Sequence, residues 1–242
     1  MTEPDPTSPL RIFIGFDPRQ IVAYTALTTS LVITSSRPIA MIPLVLDTVP
    51  ITRAGLTPFT FSRFLVPWLC GYEGWALFLD ADELVLGDIV DLFAMADETR
   101  AVMVADDPEY SFEWASVMLF NCAHPDNRVL TPDYVDDATR CRDPHRIDWT
   151  DHRGSLPPEW NVLVGYQDIP ENPKLLHYTC GVPAFPETQQ TPTREFWERM
   201  VHVATSAHPW AELMGQSIHA KTLADGRVVP VFFDENHAVA AE

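Results

Sequence analysis

This sequence predicts an α/β fold, with helices alternating around a parallel sheet, and three observations carry that prediction. The run Trp75–Leu79 (W-A-L-F-L) is apolar throughout and stops at the carboxylate of Asp80. A run this short and this apolar reads as a strand covered on both faces, as helices cover a parallel sheet. The stretch Arg11–Asp17 (R-I-F-I-G-F-D) repeats the design, an apolar strand closed by a carboxylate. Strand-like runs then alternate with helical ones along the chain, the pattern of α/β domains.

Pro18 opens a turn after the first strand, and Ile21–Ile33 reads as a helix packed behind it. Ile39–Leu46 is a second apolar strand. Thr57–Leu69 carries aromatic and aliphatic residues at helical intervals, with Pro67 set to bend or end it. After the central strand, Asp88–Ala96 reads as a short helix, and Ala101–Ala105 and Ser116–Asn121 as strands. Asn127–Asp151 is polar, with no clear periodicity. Leu156–Val164 is stiffened by prolines and then apolar, and Lys174–Tyr178 is a short strand with a histidine near its end. Arg194–Val203 is a helix predicted to present Phe196, Met200 and Val203 on one face. Trp210, Met214 and Ile218 mark another helix, ending near Gly226, and Val228–Phe233 is a last edge strand. The expectation is one domain over residues 10–235, with flexible tails at 1–9 and 236–242.

Composition narrows the function. A length of 242 residues is ample for a sizeable core. The net charge of −18, from 34 acidic against 16 basic residues, argues against nucleic acid and anionic membrane as partners. It leaves room for a small phosphorylated ligand held by one metal ion and one arginine. No apolar run reaches the length of a membrane span, and Met1–Pro9 lacks the basic and apolar regions of a signal peptide. Cys70, Cys122, Cys141 and Cys180 show no C-x-x-C spacing and read as reduced thiols. The expectation is a cytoplasmic protein of unassigned oligomeric state.

The chemistry centres on Asp80 and Asp82. Two residues apart in extended chain, they would point to one side at the carboxyl end of a buried strand, where open α/β sheets bind ligands. Unpaired, they repel, and a divalent cation removes the conflict. The alternative is a solvated acidic turn.

The ordered motifs F-I-G-F-D, F-S-R-F-L-V-P, A-L-F-L-D-A-D-E-L-V-L-G-D, V-M-L-F-N, L-P-P-E-W-N and L-L-H-Y-T-C-G resemble the GT-A fold glycosyltransferases of family 8 type, the group of glycogenin and the lipopolysaccharide galactosyltransferases. The resemblance spans roughly residues 10–186. It implies a single Rossmann-like GT-A domain with a mixed, mostly parallel central sheet flanked by helices. It implies a hexosyltransferase that moves a sugar from a nucleotide-sugar donor, a UDP-sugar, to a glycan or small hydroxyl acceptor with retention.

By the same resemblance, Asp80, Asp82 and His177 hold manganese or magnesium. An imidazole among oxygen ligands favours manganese, and the alternative for His177 is a buried histidine bonded to a carbonyl. Arg63 resembles the arginine that reaches the donor sugar and diphosphate, its planar fork suited to phosphate oxygens; the alternative is a surface salt bridge. Asp17 and Tyr24 resemble the residues that hold the nucleoside, although Tyr24 could equally be helix core. Trp160 and Asn161 resemble the family's W-N near the pocket floor, where a tryptophan could simply fill the core. Ala81 and Gly181 complete the implied donor-binding set.

Three departures stand out. Trp114-Ala115-Ser116-Val117 lacks the asparagine of the family's N-A-G-V. Gly181-Val182-Pro183-Ala184-Phe185 lacks the lysine that follows the histidine in many members. The D-Q pair that faces the sugar is missing, and Asp148 and Asp151 occupy the comparable segment as the implied catalytic carboxylates.

Two rival readings remain open on the sequence. One is a GT-A domain that binds a nucleotide sugar or glycan without turnover. The other is a haloacid dehalogenase-like phosphatase, although such sites want Thr or Val two residues after the second Asp, where Leu84 stands. No G-x-S-x-G elbow supports a serine hydrolase.

Overall fold

The computed structural model describes residues 8–205 and 220–230, which fall into two compact units divided between Val201 and His202. In the first unit, the described strands of the central sheet are β1 (Leu10–Gly15), β2 (Ile39–Leu44), β3 (Trp75–Leu79), β5 (Val102–Val104), β6 (Val117–Asn121) and β7 (Arg153–Ser155). Their order is β2-β1-β3-β6-β5-β7. β1 runs parallel to β2 and β3, and β5 parallel to β7; β6 alone is reversed, antiparallel to both β3 and β5. The sheet is therefore mixed and mostly parallel.

The alternation of strand side chains sorts the core into two faces. Phe13, Phe78, Met118 and Phe120 fall on one side with Phe64 and Leu65, while Ile12, Ile14, Leu77, Leu79 and Leu119 fall on the other. The second face is covered by α1 (Ile21–Thr34) through Leu27 and Leu31. Each such side chain contributes about 1.5–3 kcal/mol on burial. That is why the central run tolerates no polar residue before Asp80.

β3 occupies the residues its apolar run predicts. Beyond it the backbone departs from the extended chain expected of Asp80–Asp82: Ala81 and Asp82 form a turn. The turn carries the chain out of the central sheet into β4 (Glu83–Val85), part of a second, three-stranded sheet with β8 (Val162–Leu163) and β9 (Leu175–His177). β4 and β9 are antiparallel, with Glu83 opposite His177. The Ser30 hydroxyl ties α1 to this sheet by accepting from the Val85 N–H at 3.0 Å.

One further segment departs from expectation, and the polar stretch after it resolves into short turns. Thr57–Leu69 is not one helix; its regular part is a 3-10 turn over Ser62–Leu65 and the single turn α2 (Val66–Leu69), with Pro67 in the first positions, where a helix tolerates the missing N–H. Between Pro125 and Arg146, a 3-10 turn (Pro125–Val129), α4 (Pro132–Asp136) and a 3-10 turn (Pro144–Arg146) each begin at a proline. The helix expected over Asp88–Ala96 is the shorter α3 (Ile89–Phe93), capped by the Asp88 side chain.

α5 (Arg194–Thr205) buries Trp197, with Met200 and Val201 packed beside it, whereas Phe196 and Val203 are exposed. The buried stripe is one residue round from the expected one, because the larger indole takes the interior position. In the second unit, β10 (Ala220–Thr222) and β11 (Val228–Pro230) form an antiparallel hairpin, turned at Gly226 with φ +86°. The helix expected around Trp210, Met214 and Ile218 does not run on to Gly226, since Ala220–Thr222 is strand β10; its earlier part, the strand beyond Pro230 and residues 1–7 and 236–242 lie outside the described residues. Among the described residues, no helix is long and apolar enough to cross a membrane.

Candidate active site

The site forms where β3 ends. Asp80 leaves the carboxyl edge of the sheet, and Asp82 sits on the turn after it. His177 arrives from β9, because the backbone N–H of Tyr178 bonds to the Asp82 carbonyl at 3.0 Å. The His177 Nε2 atom lies 3.5 Å from Asp82 Oδ1, and its Nδ1 lies 4.0 Å from Glu113 Oε2. One ligand atom from each of Asp80, Glu113 and His177 lies within 4.8 Å of the other two. The fold thus brings Asp80, Asp82 and His177 together and adds Glu113. Glu113 ends a 3-10 segment (Pro108–Glu113) that leads into β6. It stands next to the departure at Trp114, and its acidity in F-E-W-A-S, just before a strand, is the signal the sequence offers for it.

The orientation of His177 is set by Asn161. The Asn161 amide donates to the Glu113 carbonyl at 3.2 Å and to Ser116 Oγ at 3.0 Å. A carbonyl can only accept, so the amide nitrogen must face that way and Oδ1 must face His177. Asn161 Oδ1 is 3.2 Å from His177 Nδ1, which therefore carries a proton. Nε2 is left toward Asp82. A histidine held through one nitrogen with the other turned to carboxylates is the usual arrangement of a metal ligand.

Arg63 is buried beneath the cluster rather than on the surface. Its guanidinium pairs with Asp80, Nη2 lying 2.9 Å from Oδ1 and Nη1 3.2 Å from Oδ2, and Nη1 donates to the Ala115 carbonyl at 2.7 Å. The guanidinium carbon lies 4.8 Å from the Phe78 ring centroid. In this structure both terminal nitrogens face Asp80, and the buried Nε has no hydrogen-bond partner. Glu83, also buried, has both carboxylate oxygens without a hydrogen-bond partner.

Four carboxylates therefore meet one arginine and one histidine in a low-dielectric pocket, and their proton affinities show the conflict. Burial pushes Asp80 up to about 7 despite Arg63, with Asp82 and Glu113 adding repulsion. Burial likewise raises Glu113, and raises Glu83 well above the usual range with Asp80 and Asp82 behind it. Burial works against the Asp82 charge too, but His177 outweighs it and holds Asp82 low. Burial opposes charging of His177, yet Asp82, Glu113 and Asp80 together raise it. One divalent cation would relieve this excess of negative charge, and oxygen with one imidazole nitrogen is a donor set that suits manganese. The residues present fit such an ion.

The remaining candidates lie around this centre or apart from it. Asp17 is three residues beyond Ile14, which pairs with Leu79, so it emerges at the same sheet edge as Asp80. Its carboxylate caps the turn Pro18–Gln20 and is gripped by Arg19, Nη2 to Oδ2 at 2.6 Å. Tyr24 is half-buried, edge-on to Phe16 with ring centroids 5.4 Å apart. Ala81 and Trp160 are buried core. Gly181 turns the chain after β9 with φ +102°, a conformation that glycine adopts without strain. Asp148 and Asp151 are exposed, and Asp148 accepts the Asp143 N–H at 3.1 Å. No contact between described residues joins either of them to the Asp80–His177 cluster. A cleft of about 710 Å³ along β8 is lined by Asp107, Tyr110, Glu159, Val162, Tyr166 and Asp168, among others, and none of Asp80, Asp82, Glu113 or His177 lines it.

No family model matches the chain. Protein CDI of Arabidopsis thaliana is 33% identical over 222 residues, covering 78% of this chain and 85% of the relative. Among solved structures, the glycosyltransferase GlyE of Streptococcus pneumoniae TIGR4 superposes with a TM-score of 0.62 at 18% identity, over 85% of this chain and 63% of GlyE. The WbbM bifunctional glycosyltransferase gives 0.62 at 14% identity, over 88% of this chain but 52% of WbbM. The galactosyltransferase LgtC, in complex with donor and acceptor sugar analogues, gives 0.55 at 14% identity, over 85% of this chain and 99% of LgtC. The chain thus spans between half and two thirds of the length of the first two.

Proposed function

The chain belongs to the family of Arabidopsis Protein CDI and has the GT-A fold of the glycosyltransferases, and from that premise we propose that it transfers a sugar from a nucleotide-sugar donor to a hydroxyl acceptor with the help of a divalent cation. The observation that carries this reading is the buried excess of carboxylates at the end of β3, with His177 held among them by Asn161. Asp80, Asp82, Glu113 and His177 would hold the ion. When bound, the ion supplies Lewis acidity toward the charge that grows on the departing nucleoside diphosphate.

The chain's own residues do the rest. Asn161 keeps His177 Nδ1 protonated and Nε2 turned to the carboxylates. Arg63 meets Asp80 with both terminal guanidinium nitrogens, so it acts as a positioning residue for that carboxylate. A direct hold by Arg63 on the donor would require it to share its fork with the diphosphate. Asp17, at the same sheet edge, is the candidate for the nucleoside, with Arg19 as a cation that could turn toward phosphate in place of the missing lysine. The donor is read as a UDP-sugar, the ion as manganese or magnesium, and the outcome at the anomeric carbon as retention. The acceptor is read as a neutral glycan or small polyol, because the cleft along β8 offers Tyr110 and Tyr166 rings and carboxylates but no lysine or arginine.

Release of UDP from a panel of UDP-sugars, with manganese and with chelator, tests the reading. Turnover that requires manganese and is lost in Asp82→Asn supports it. Tight binding of a UDP-sugar with neither hydrolysis nor transfer to any acceptor would favour a binding-only domain. Metal-dependent cleavage of simple phosphate monoesters would favour the phosphatase.

A further inference from the structure

A second cluster lies at the opposite end of the central sheet. β6 is antiparallel to β3 with Asn121 opposite Trp75, so residues just after Asn121 sit at the amino edge of β3, away from Asp80. β7 enters the sheet at that edge, with Arg153 opposite Val102, which itself pairs with Phe120. We propose that His124, Asp126 and His152 form a second divalent-cation site there, of the zinc-binding class, separate from the Asp80–His177 cluster.

The geometry gives three borderline donors in one place. One ligand atom from each residue lies within 4.8 Å of the other two. His152 Nδ1 is 2.8 Å from Asp126 Oδ2, His124 Nδ1 is 3.9 Å from Asp126 Oδ1, and the two imidazole centroids are 5.0 Å apart. A hydrogen-bonded Asp126–His152 pair explains His152 alone. His124 Nδ1 caps the turn Pro125–Val129 by accepting the Asp126 N–H at 3.3 Å, which holds the ring beside the same carboxylate, and an ion would take that nitrogen in place of the N–H. Two imidazole nitrogens and one carboxylate oxygen are a donor set that zinc and cobalt accept, with water at the open position.

The surroundings hold these donors in place. Asn127 is fully buried, donates to the Ala101 and Asn121 carbonyls at 2.8 Å each, and accepts from Trp149 Nε1 at 3.0 Å. It thereby pins the turn bearing His124 and Asp126 to the segment leading to His152. Thr150 Oγ1 donates to Asp126 and accepts the His152 N–H at 3.0 Å. The His152 side chain is 55% exposed, which leaves a path for an ion to enter. An ion would take the place of the proton on His152 Nδ1, which moves to Nε2 at the solvent side. It would staple the turn after β6 to the start of β7. Because the three residues converge only in the folded chain, binding stabilises the fold.

Cobalt titration of the full chain, followed by its visible absorption, tests the site, with zinc-induced thermal shift as a second readout. Wild type should show a cobalt band that His177→Ala retains. In His124→Ala and in His152→Ala, cobalt affinity at this site should fall on the order of tenfold or more, the zinc shift should shrink, and the metal-free melting temperature should stay close to wild type. Because His152 is exposed, His152→Ala is decisive if His124→Ala fails to fold. Unchanged cobalt affinity and zinc shift in His152→Ala would overturn the proposal. So would a cobalt signal abolished by His177→Ala alone.

Discussion

Replacing Asn161 with alanine should loosen the cation site as well as the fold. The substitution removes amide bonds to Glu113 and Ser116 and the acceptor for His177 Nδ1, at 3.2, 3.0 and 3.2 Å. Ser116 and the Glu113 carbonyl keep their own bond at 2.6 Å, so neither becomes an orphan. Each lost bond is worth roughly 0.5–1.5 kcal/mol net, and with two partners still bonded the stability cost should be about 2 kcal/mol. The effect on the ion comes through His177, whose ring loses its orienting partner. Loss of such a partner lowers metal affinity about 10–100-fold, or about 1.4–2.7 kcal/mol. Calorimetric titration with manganese, beside chemical denaturation of the metal-free protein, separates the two. If Asn161→Ala loses stability but binds manganese as wild type does, Asn161 is scaffold only and the reasoning about His177 is wrong.

Other outcomes rest on the same geometry. UDP should raise the melting temperature only with a divalent cation present, because the carboxylate cluster repels a bare diphosphate; equal stabilisation in excess chelator would contradict this. Arg63→Lys should lower turnover at least tenfold while retaining the fold, since lysine keeps the charge but not the two-point grip on Asp80; an unchanged kcat would leave Arg63 a purely structural cation. His145 is held neutral chiefly by burial, with Arg63 adding repulsion, and its pKa falls to about 4. The unfolded chain takes up that proton near the ordinary histidine value of 6.5. Between these values the unfolded state binds more protons, so stability should drop as pH falls, by up to about 3 kcal/mol. His145→Gln should flatten that part of the denaturation-versus-pH profile, and an unchanged profile would remove His145 as its cause.

The centre of the sheet is legible in the sequence because burial there leaves no choice of residue. β3 has the limits of its apolar run, and Asp80 stands where that run stops. His177 is visible as the end of a short strand, but its partner is not. Asn161 lies sixteen residues upstream, and only the pairing of β8 with β9 brings it alongside. Glu113 leaves only its acidity before a strand as a signal, because a 3-10 turn has no hydrophobic period to mark which way its side chains point. The reversed direction of β6 is hidden, since an apolar run reads the same for parallel and antiparallel neighbours. The face of α5 differs by one residue from its periodicity, where Trp197 competes with Phe196 for the interior. Asp148 and Asp151 rest on position in a motif order rather than on any local pattern, and the fold leaves both exposed.

The central claim is that the carboxylates after β3 and His177 share one divalent ion that serves a nucleotide sugar. Anomalous diffraction from crystals grown with manganese and UDP tests it most directly. The account predicts a manganese peak about 2.0–2.3 Å from His177 Nε2 and from carboxylate oxygens of the Asp80–Asp82 turn, with the diphosphate completing its shell. A manganese peak confined to His124, Asp126 and His152, or UDP bound with no ion between it and Asp82, would contradict it.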